Sequence, residues 1–340
     1  MKIPPFFILF IVLGCGIKKH IDSREFVLNA HAMIYNTDEA KIYLFGGANE
    51  KEVLDDLWVL DNETWVHVTT EKSPVGRTFA SMAYDEINHR IVLFGGSRVL
   101  FGHEASVGNL LNDLWEFKDK KWNKINTPVS PSPRAEAALV FDSTSGKLVL
   151  FGGYTIENGN YLKLDDTWEF ENNHWKEVAS KGPSPRHGVC MAYDPVHQSI
   201  LLFGGSTVDK QYGVSSGQSW IFKNQNWSYL DMLQPPGIFN ASMIYDKEEV
   251  RFIRFGGWNG VSRVNETWSF KNNMWQQIHT ETSPSIRNHS GMIYHEATSR
   301  TLLFGGHNGT EVFGDLWEFK NNQWKNISDT QPKLRVKNNH

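Results

Sequence analysis

The sequence is poor in cysteine, with only Cys15 and Cys190 among 340 residues. A disulfide framework is thereby excluded, and a chain of this length must be held together by packing. Surplus positive charge is missing as well, since 34 Lys and Arg stand against 38 Asp and Glu for a net charge of -4. That balance leaves no basic footprint for nucleic acid. Helical apolar periodicity is absent beyond the first residues, so no glycine-rich loop opens a helix to cradle phosphate. Histidines at i, i+3 or i, i+4 metal spacing are lacking too: His31, His187, His289 and His307 are scattered. Neither a metal nor a cofactor is expected.

A long apolar run occurs once, from Pro5 to Leu13, with Lys2 as the only charge before it. It is too short to span a bilayer as a helix and reads as a secretion signal. The run ends in Val12-Leu13-Gly14-Cys15, which resembles the bacterial lipobox. That resemblance implies a signal peptide over 1–14, a lipidated Cys15 and a tether over 15–28. It also implies an exported bacterial lipoprotein, periplasmic or cell-surface, held at the membrane without crossing it.

What the chain has in abundance is an apolar strand that breaks on a glycine pair. Phe45-Gly46-Gly47 recurs at Phe94, Phe151, Phe203, Phe255 and Phe304, a spacing of about 50 residues that marks blade repeats. Each copy opens with a strand ending in Tyr35, Tyr84, Phe141, Tyr193, Tyr245 or Tyr294, always ten positions before its Phe. So constant a spacing predicts one hairpin register in every copy. The second strand, as in Leu148-Val149-Leu150-Phe151, is continuously apolar and predicts burial on both faces. The third alternates, as in Trp115-Glu116-Phe117, and a second Trp follows seven positions after the first. Pairs such as Asn172-Asn173 and Asn272-Asn273 lie between the two and suit a tight hairpin. Each unit is therefore a four-stranded meander.

The glycine pairs, the spaced tryptophans and the Pro-x-Arg connectors together resemble the kelch-repeat family over roughly residues 29–328. The resemblance implies an all-β fold, a six-bladed β-propeller of four-stranded antiparallel blades over 29–330, followed by a tail over 331–340. Both ends already hold complete blades, so closure is expected by packing rather than by a donated strand. Blade 5 departs from the pattern, with Arg254 inside the apolar second strand and Ile238 in place of the connector arginine.

Antiparallel pairing places the start of the first strand and the end of the second on one face of the ring. The connector arginines Arg77, Arg134, Arg186 and Arg287 meet there with Tyr154, Trp258 and His307, which follow glycine pairs. Guanidinium forks and aromatic faces suit a protein or glycan ligand of anionic character. The longer loops carrying Phe101, His103, Tyr161 and Tyr212 fall on the same face. A competing role exists for the arginines. Asp56, Asp113, Asp166, Glu266 and Asp315 recur near the same end and could clasp them between blades. Kelch propellers commonly bind partners on this face, which favours a binding or interaction module over an enzyme. The alternative is an exported enzyme acting on an acidic sugar, similar to the kelch sialate mutarotases, with no catalytic residue assigned. Cys190 aligns with small residues in the other copies and reads as axial packing.

Overall fold

The computed structural model describes residues 26–61, 64–99, 107–178, 181–207 and 214–328. Six four-stranded antiparallel sheets surround one axis, each built from strands of its own repeat. Blade 1, for example, comprises Ala32–Asn36, Lys41–Phe45, Leu57–Asp61 and Thr64–His67. Blade 3 adds a hairpin, Tyr154–Glu157 with Asn160–Lys163, between its second and third strands. Residues 1–25, which hold the expected signal peptide and Cys15, and Phe101, His103, Tyr212 and the expected 331–340 tail lie outside the described residues. Phe26 already packs edge-on against Trp58 at 4.7 Å and tilts against Phe304 at 5.5 Å, inside the span read as tether.

First strands line the axis, each packed on the next, with Gly291–His295 of blade 6 against Ala32–Asn36 of blade 1. Second strands are the most deeply covered. Leu44, Leu93, Leu150, Leu202 and Leu303 are all fully buried. At roughly 1.5–3 kcal/mol for each buried leucine, this column is a main apolar contribution of five of the six blades. In the outer hairpins the Asn pairs take positive φ, 50° and 60° at Asn172 and Asn173, as the tight turn requires.

Blades are joined by aromatic contacts that repeat around the circle. The second Trp of each blade packs on the glycine-pair Phe of the preceding one. Trp122 lies 5.3 Å from Phe45, Trp275 lies 4.8 Å from Phe203, and Trp65 lies 5.0 Å from Phe304 across the seam. Backbone bonds repeat in the same way. Gly47 N donates to Arg77 O, and across the seam Gly306 N donates to Leu28 O, both at 2.8 Å. The seam therefore uses the same contacts as any other junction, and complete blades close the ring.

One seam feature has no counterpart elsewhere. His31 occupies a position that is Ala80, Ala137, Val189, Ala241 or Ser290 in other blades. Its imidazole is buried, both nitrogens lack a hydrogen bond, and burial pushes its pKa down to about 3. A β-carbon on Gly291 would lie 2.7 Å from His31 Nε2, so the glycine makes room for the ring.

Candidate binding site at the ring mouth

The mouth is built on six residues in left-handed conformation, two positions beyond each connector: Ala30, Phe79, Glu136, Gly188, Asn240 and His289, with φ between 53° and 64°. For five non-glycine residues that conformation costs about 1 kcal/mol or more each. A closed cycle of hydrogen bonds offsets the strain. Phe79 N donates to Ala30 O, Glu136 N to Phe79 O, Gly188 N to Glu136 O, Asn240 N to Gly188 O, His289 N to Asn240 O, and Ala30 N to His289 O. All six distances fall between 2.8 and 3.2 Å. The cycle holds five side chains, and the open position at Gly188, on a rigid rim.

One residue earlier in each blade, a backbone bridge joins the first strand to the residue after the glycine pair, as Ala135 to Tyr154, Phe239 to Trp258 and Asn288 to His307. This brings three predicted residues to the rim. Tyr154 is buried and meets the His187 ring edge-on at 5.5 Å. Trp258 lies under the Arg263 guanidinium, 5.2 Å from its ring centroid. His307 stacks on His289 with planes 12° apart, and His289 Nδ1 lies 3.0 Å from His307 Nε2.

The four connector arginines are placed elsewhere. Their side chains are 0–1% exposed and point into the blade walls. Arg77 forks onto Asp113 at 2.7 and 3.0 Å, and its Nη1 also donates to Gly95 O. Arg134 holds Asp166 at 2.7 Å on both arms, and Arg287 holds Asp315 at 2.6 and 2.8 Å. Arg186 meets Gln218 in place of a carboxylate, at 2.9 Å, and burial pushes its pKa down to about 10. In blade 1, where Leu28 stands at the connector position, Asp56 pairs with His67 at 3.0 Å. These groups are structural clasps, and they close within a blade rather than between blades. A guanidinium with every arm engaged and no exposure offers nothing to a ligand.

Polar chemistry at the mouth comes instead from residues that the repeat pattern does not single out. The buried Glu136 carboxylate accepts from His187 Nδ1 at 2.6 Å and lies 3.8 Å from His289 Nε2. Burial alone would raise its pKa. The imidazoles of His187 and His289 and the Asn240 side chain outweigh that and hold it below the ordinary value. Burial lowers His289 to about 4 and His307 to about 3, the latter helped by His289 and Arg263, so both rings are neutral at pH 7. Arg263 donates from Nε to Asn288 Oδ1 at 2.9 Å. Glu136, Asn240 and His289 share one column of the repeat in which no two blades carry the same residue. That diversity was the available signal. Among the described residues, no group of three or more His, Cys, Asp or Glu is arranged to hold a metal ion. Cys190 is buried in the axial packing, with its thiol pushed up to about 12 by burial and its Sγ 3.3 Å from Ala241 O.

A family model described as the KLHDC2/KLHL20/DRC7 Kelch-repeats domain matches residues 28–182 and 142–340. The chain belongs to the kelch-repeat family. Human kelch domain-containing protein 3 is 27% identical to this kelch propeller over 186 residues, covering 51% of this chain and 47% of its own. Kelch domain-containing protein 10 of Xenopus tropicalis is 25% identical over 260 residues, 68% of this chain and 60% of its own. A Thlaspi arvense protein named N-(sulfonatooxy)prop-2-enimidothioate sulfolyase is 30% identical over 190 residues, 48% of this chain and 51% of its own. The chain thus spans about half the length of these relatives, all of them eukaryotic.

Proposed function

We propose that this kelch propeller is a binding module that takes a protein or glycan partner at the glycine-pair mouth. The observation that carries this is the contrast between walls and rim. Clasp arginines, second-strand leucines and interblade tryptophans repeat from blade to blade. Glu136, His187, Asn240, His289, His307 and Arg263 do not repeat, yet the cycle of backbone bonds gathers them beside Tyr154, Phe239 and Trp258. Arg263 contacts no carboxylate among the described residues and is stacked on an aromatic face, which suits an anionic group on the partner. Family membership supports protein interaction.

The test is a screen of the domain against acidic peptides and acidic glycans, repeated with Arg263→Ala, Trp258→Ala and Arg134→Ala. The first two lower affinity at unchanged folding, and the third lowers stability. Binding that survives both rim variants places the site elsewhere.

A second reading, an enzyme acting on an acidic sugar, is favoured by one feature. A buried carboxylate bonded to one imidazole nitrogen orients the other for proton transfer, and Glu136 and His187 stand in that relation at 2.6 Å. Turnover of an acidic sugar that disappears in Glu136→Gln would establish it. Export and membrane anchoring through a lipid on Cys15 complete the proposal. They are supported by Lys2, the apolar stretch from Pro5 to Leu13 and the residues around Cys15. Metabolic lipid labelling that persists in Cys15→Ser refutes the anchor.

A further inference from the structure

The axis carries a second candidate site on the opposite face, independent of the mouth. A cavity of about 260 Å³ runs between the first strands, room for on the order of eight waters. Five of the eight methionines in the sequence line it, Met33, Met82, Met191, Met243 and Met292, with Leu139 in the sixth blade. The strand-ending aromatic column, Tyr35 through Tyr294, lines it at the far face.

The aromatic collar is held in place. Tyr84 OH donates to Asp38 Oδ2 and Tyr193 OH to Thr144 Oγ1, both at 2.6 Å. Tyr35 OH accepts from Ala297 N, and Tyr294 OH from Glu248 N. Each of these bonds ties a ring to the turn of the preceding blade, so the collar does not have to order itself around a ligand. Three charged side chains share the lining: Glu86, Lys247 and Glu296. Lys247 is spent on Glu296 in an ion pair at 2.5 Å. Glu86 is half-buried and makes no hydrogen bond or ion pair among the described residues. Burial raises its pKa, Glu296, Asp38 and Asp85 add to the rise, and Lys247 opposes it.

We propose that this axial cavity binds an organic ammonium ion with an apolar tail. The tail lies among the methionines, the head sits in the tyrosine collar, and Glu86 supplies the counter-charge. Aromatic faces attract an alkylated ammonium through the ring quadrupole. Thioethers adapt to an irregular chain because they are unbranched and polarisable. A carboxylate without a hydrogen bond or ion pair, at the entrance to a cavity lined by methionines and aromatic rings, favours a cation and rejects an anion of equal size.

The probes are butyl- and hexyltrimethylammonium, hexanol and hexanoate, titrated calorimetrically into the whole chain. The ammonium ions bind more tightly than hexanol, and hexanoate does not bind. Hexyl exceeds butyl by about fifteen-fold, at about four-fold for each methylene removed from water. Glu86→Gln weakens the ammonium about ten-fold and leaves hexanol unchanged. Lys247→Gln, which removes the competing cation, strengthens it. Hexanoate binding as well as the ammonium, no saturable ammonium binding up to about 10 mM, or an affinity unmoved by Glu86→Gln overturns the proposal. Glu86 lies in a surface turn, so the variant is expected to fold, and an unchanged thermal melt verifies this.

Discussion

Replacing Arg254 by leucine stabilises the protein. Five blades place a fully buried leucine at this point of the second strand, at Leu44, Leu93, Leu150, Leu202 and Leu303. Blade 5 places a guanidinium there, 1% exposed, with none of its three nitrogens hydrogen-bonded. The same blade has Ile238 where four others have the clasp arginine, so the cation and the aliphatic residue have exchanged places. Burial pushes the Arg254 pKa from 12.5 down to about 10, with Cys190 and Glu266 countering. At 1.36 kcal/mol for each pH unit, that depression corresponds to about 3 kcal/mol of unrecovered desolvation. The guanidinium recovers part of it over the rings of Phe203 and Trp268, at 5.3 and 5.8 Å. With roughly 1–2 kcal/mol assigned to those stacks, Arg254→Leu gains about 1–2 kcal/mol. For a domain of this size, that raises the melting temperature by a few degrees. Calorimetric melting and urea unfolding at pH 7 measure it. Adding Ile238→Arg gives Glu266 the clasp that four other blades have, and the double variant exceeds the sum of the two singles, because Ile238→Arg alone doubles the cation and Arg254→Leu alone leaves the Glu266 carboxylate without one. A loss of more than about 1 kcal/mol in Arg254→Leu would refute the reasoning, since it would mean that the buried cation is compensated.

Three further outcomes follow from the ring. Trp227, Trp275 and Trp324 donate from Nε1 to Thr167, Ser219 and Thr267 of the preceding blade, each at 2.9 Å, while Nε1 of Trp65, Trp122 and Trp175 has no hydrogen-bond partner among the described residues. Thr167→Val orphans Trp227 and costs about 1–3 kcal/mol in urea unfolding, and an unchanged midpoint would show that the bond contributes nothing. The His31 imidazole stays neutral in the fold down to about pH 3, whereas the unfolded chain takes up the proton near 6.5. Its contribution is intact above pH 6.5 and is lost as the pH falls, at up to about 1.4 kcal/mol for each pH unit. His31→Phe therefore flattens the acid limb of stability between pH 6 and 4, and a slope equal to wild type would remove His31 from the account. Gly291→Ala drives a methyl group to 2.7 Å from His31 Nε2 and 2.9 Å from Met33 Cβ. It costs about 1–3 kcal/mol of overpacking, of which His31→Ala restores part. Equal destabilisation in both backgrounds would place the clash elsewhere.

The repeat was legible because its signals are local. A Phe before a glycine pair, a Trp seven positions from another, and an aromatic residue ten positions before the Phe each report a strand end or a hairpin register. Those spacings are set by backbone geometry within one blade. The clasp arginines show where such reading stops. Their conservation of spacing pointed correctly to the glycine-pair face. Whether a guanidinium opens to solvent or folds back onto Asp113, Asp166 or Asp315 depends on side-chain packing that spacing does not encode. Tyr154, Trp258 and His307 reach the rim because each follows a glycine pair directly. Glu136, His187, Asn240 and His289 lie about 50 residues apart from blade to blade and share no motif.

Sequence alone determined the number of blades, the strand registers and the complete-blade closure, because each rests on a period repeated six times within the chain. Tertiary structure decided what faces the axis. Only the closed ring brings Glu136 of blade 3 to His187 of blade 4 and within 3.8 Å of His289 of blade 6, and gathers five methionines and a tyrosine collar around one cavity. These contacts join residues of different blades or at different heights along the axis. The physical reason is that a blade specifies its own hydrogen bonds, whereas a site on the axis exists only when all six blades contribute one side chain each to a space that none of them encloses.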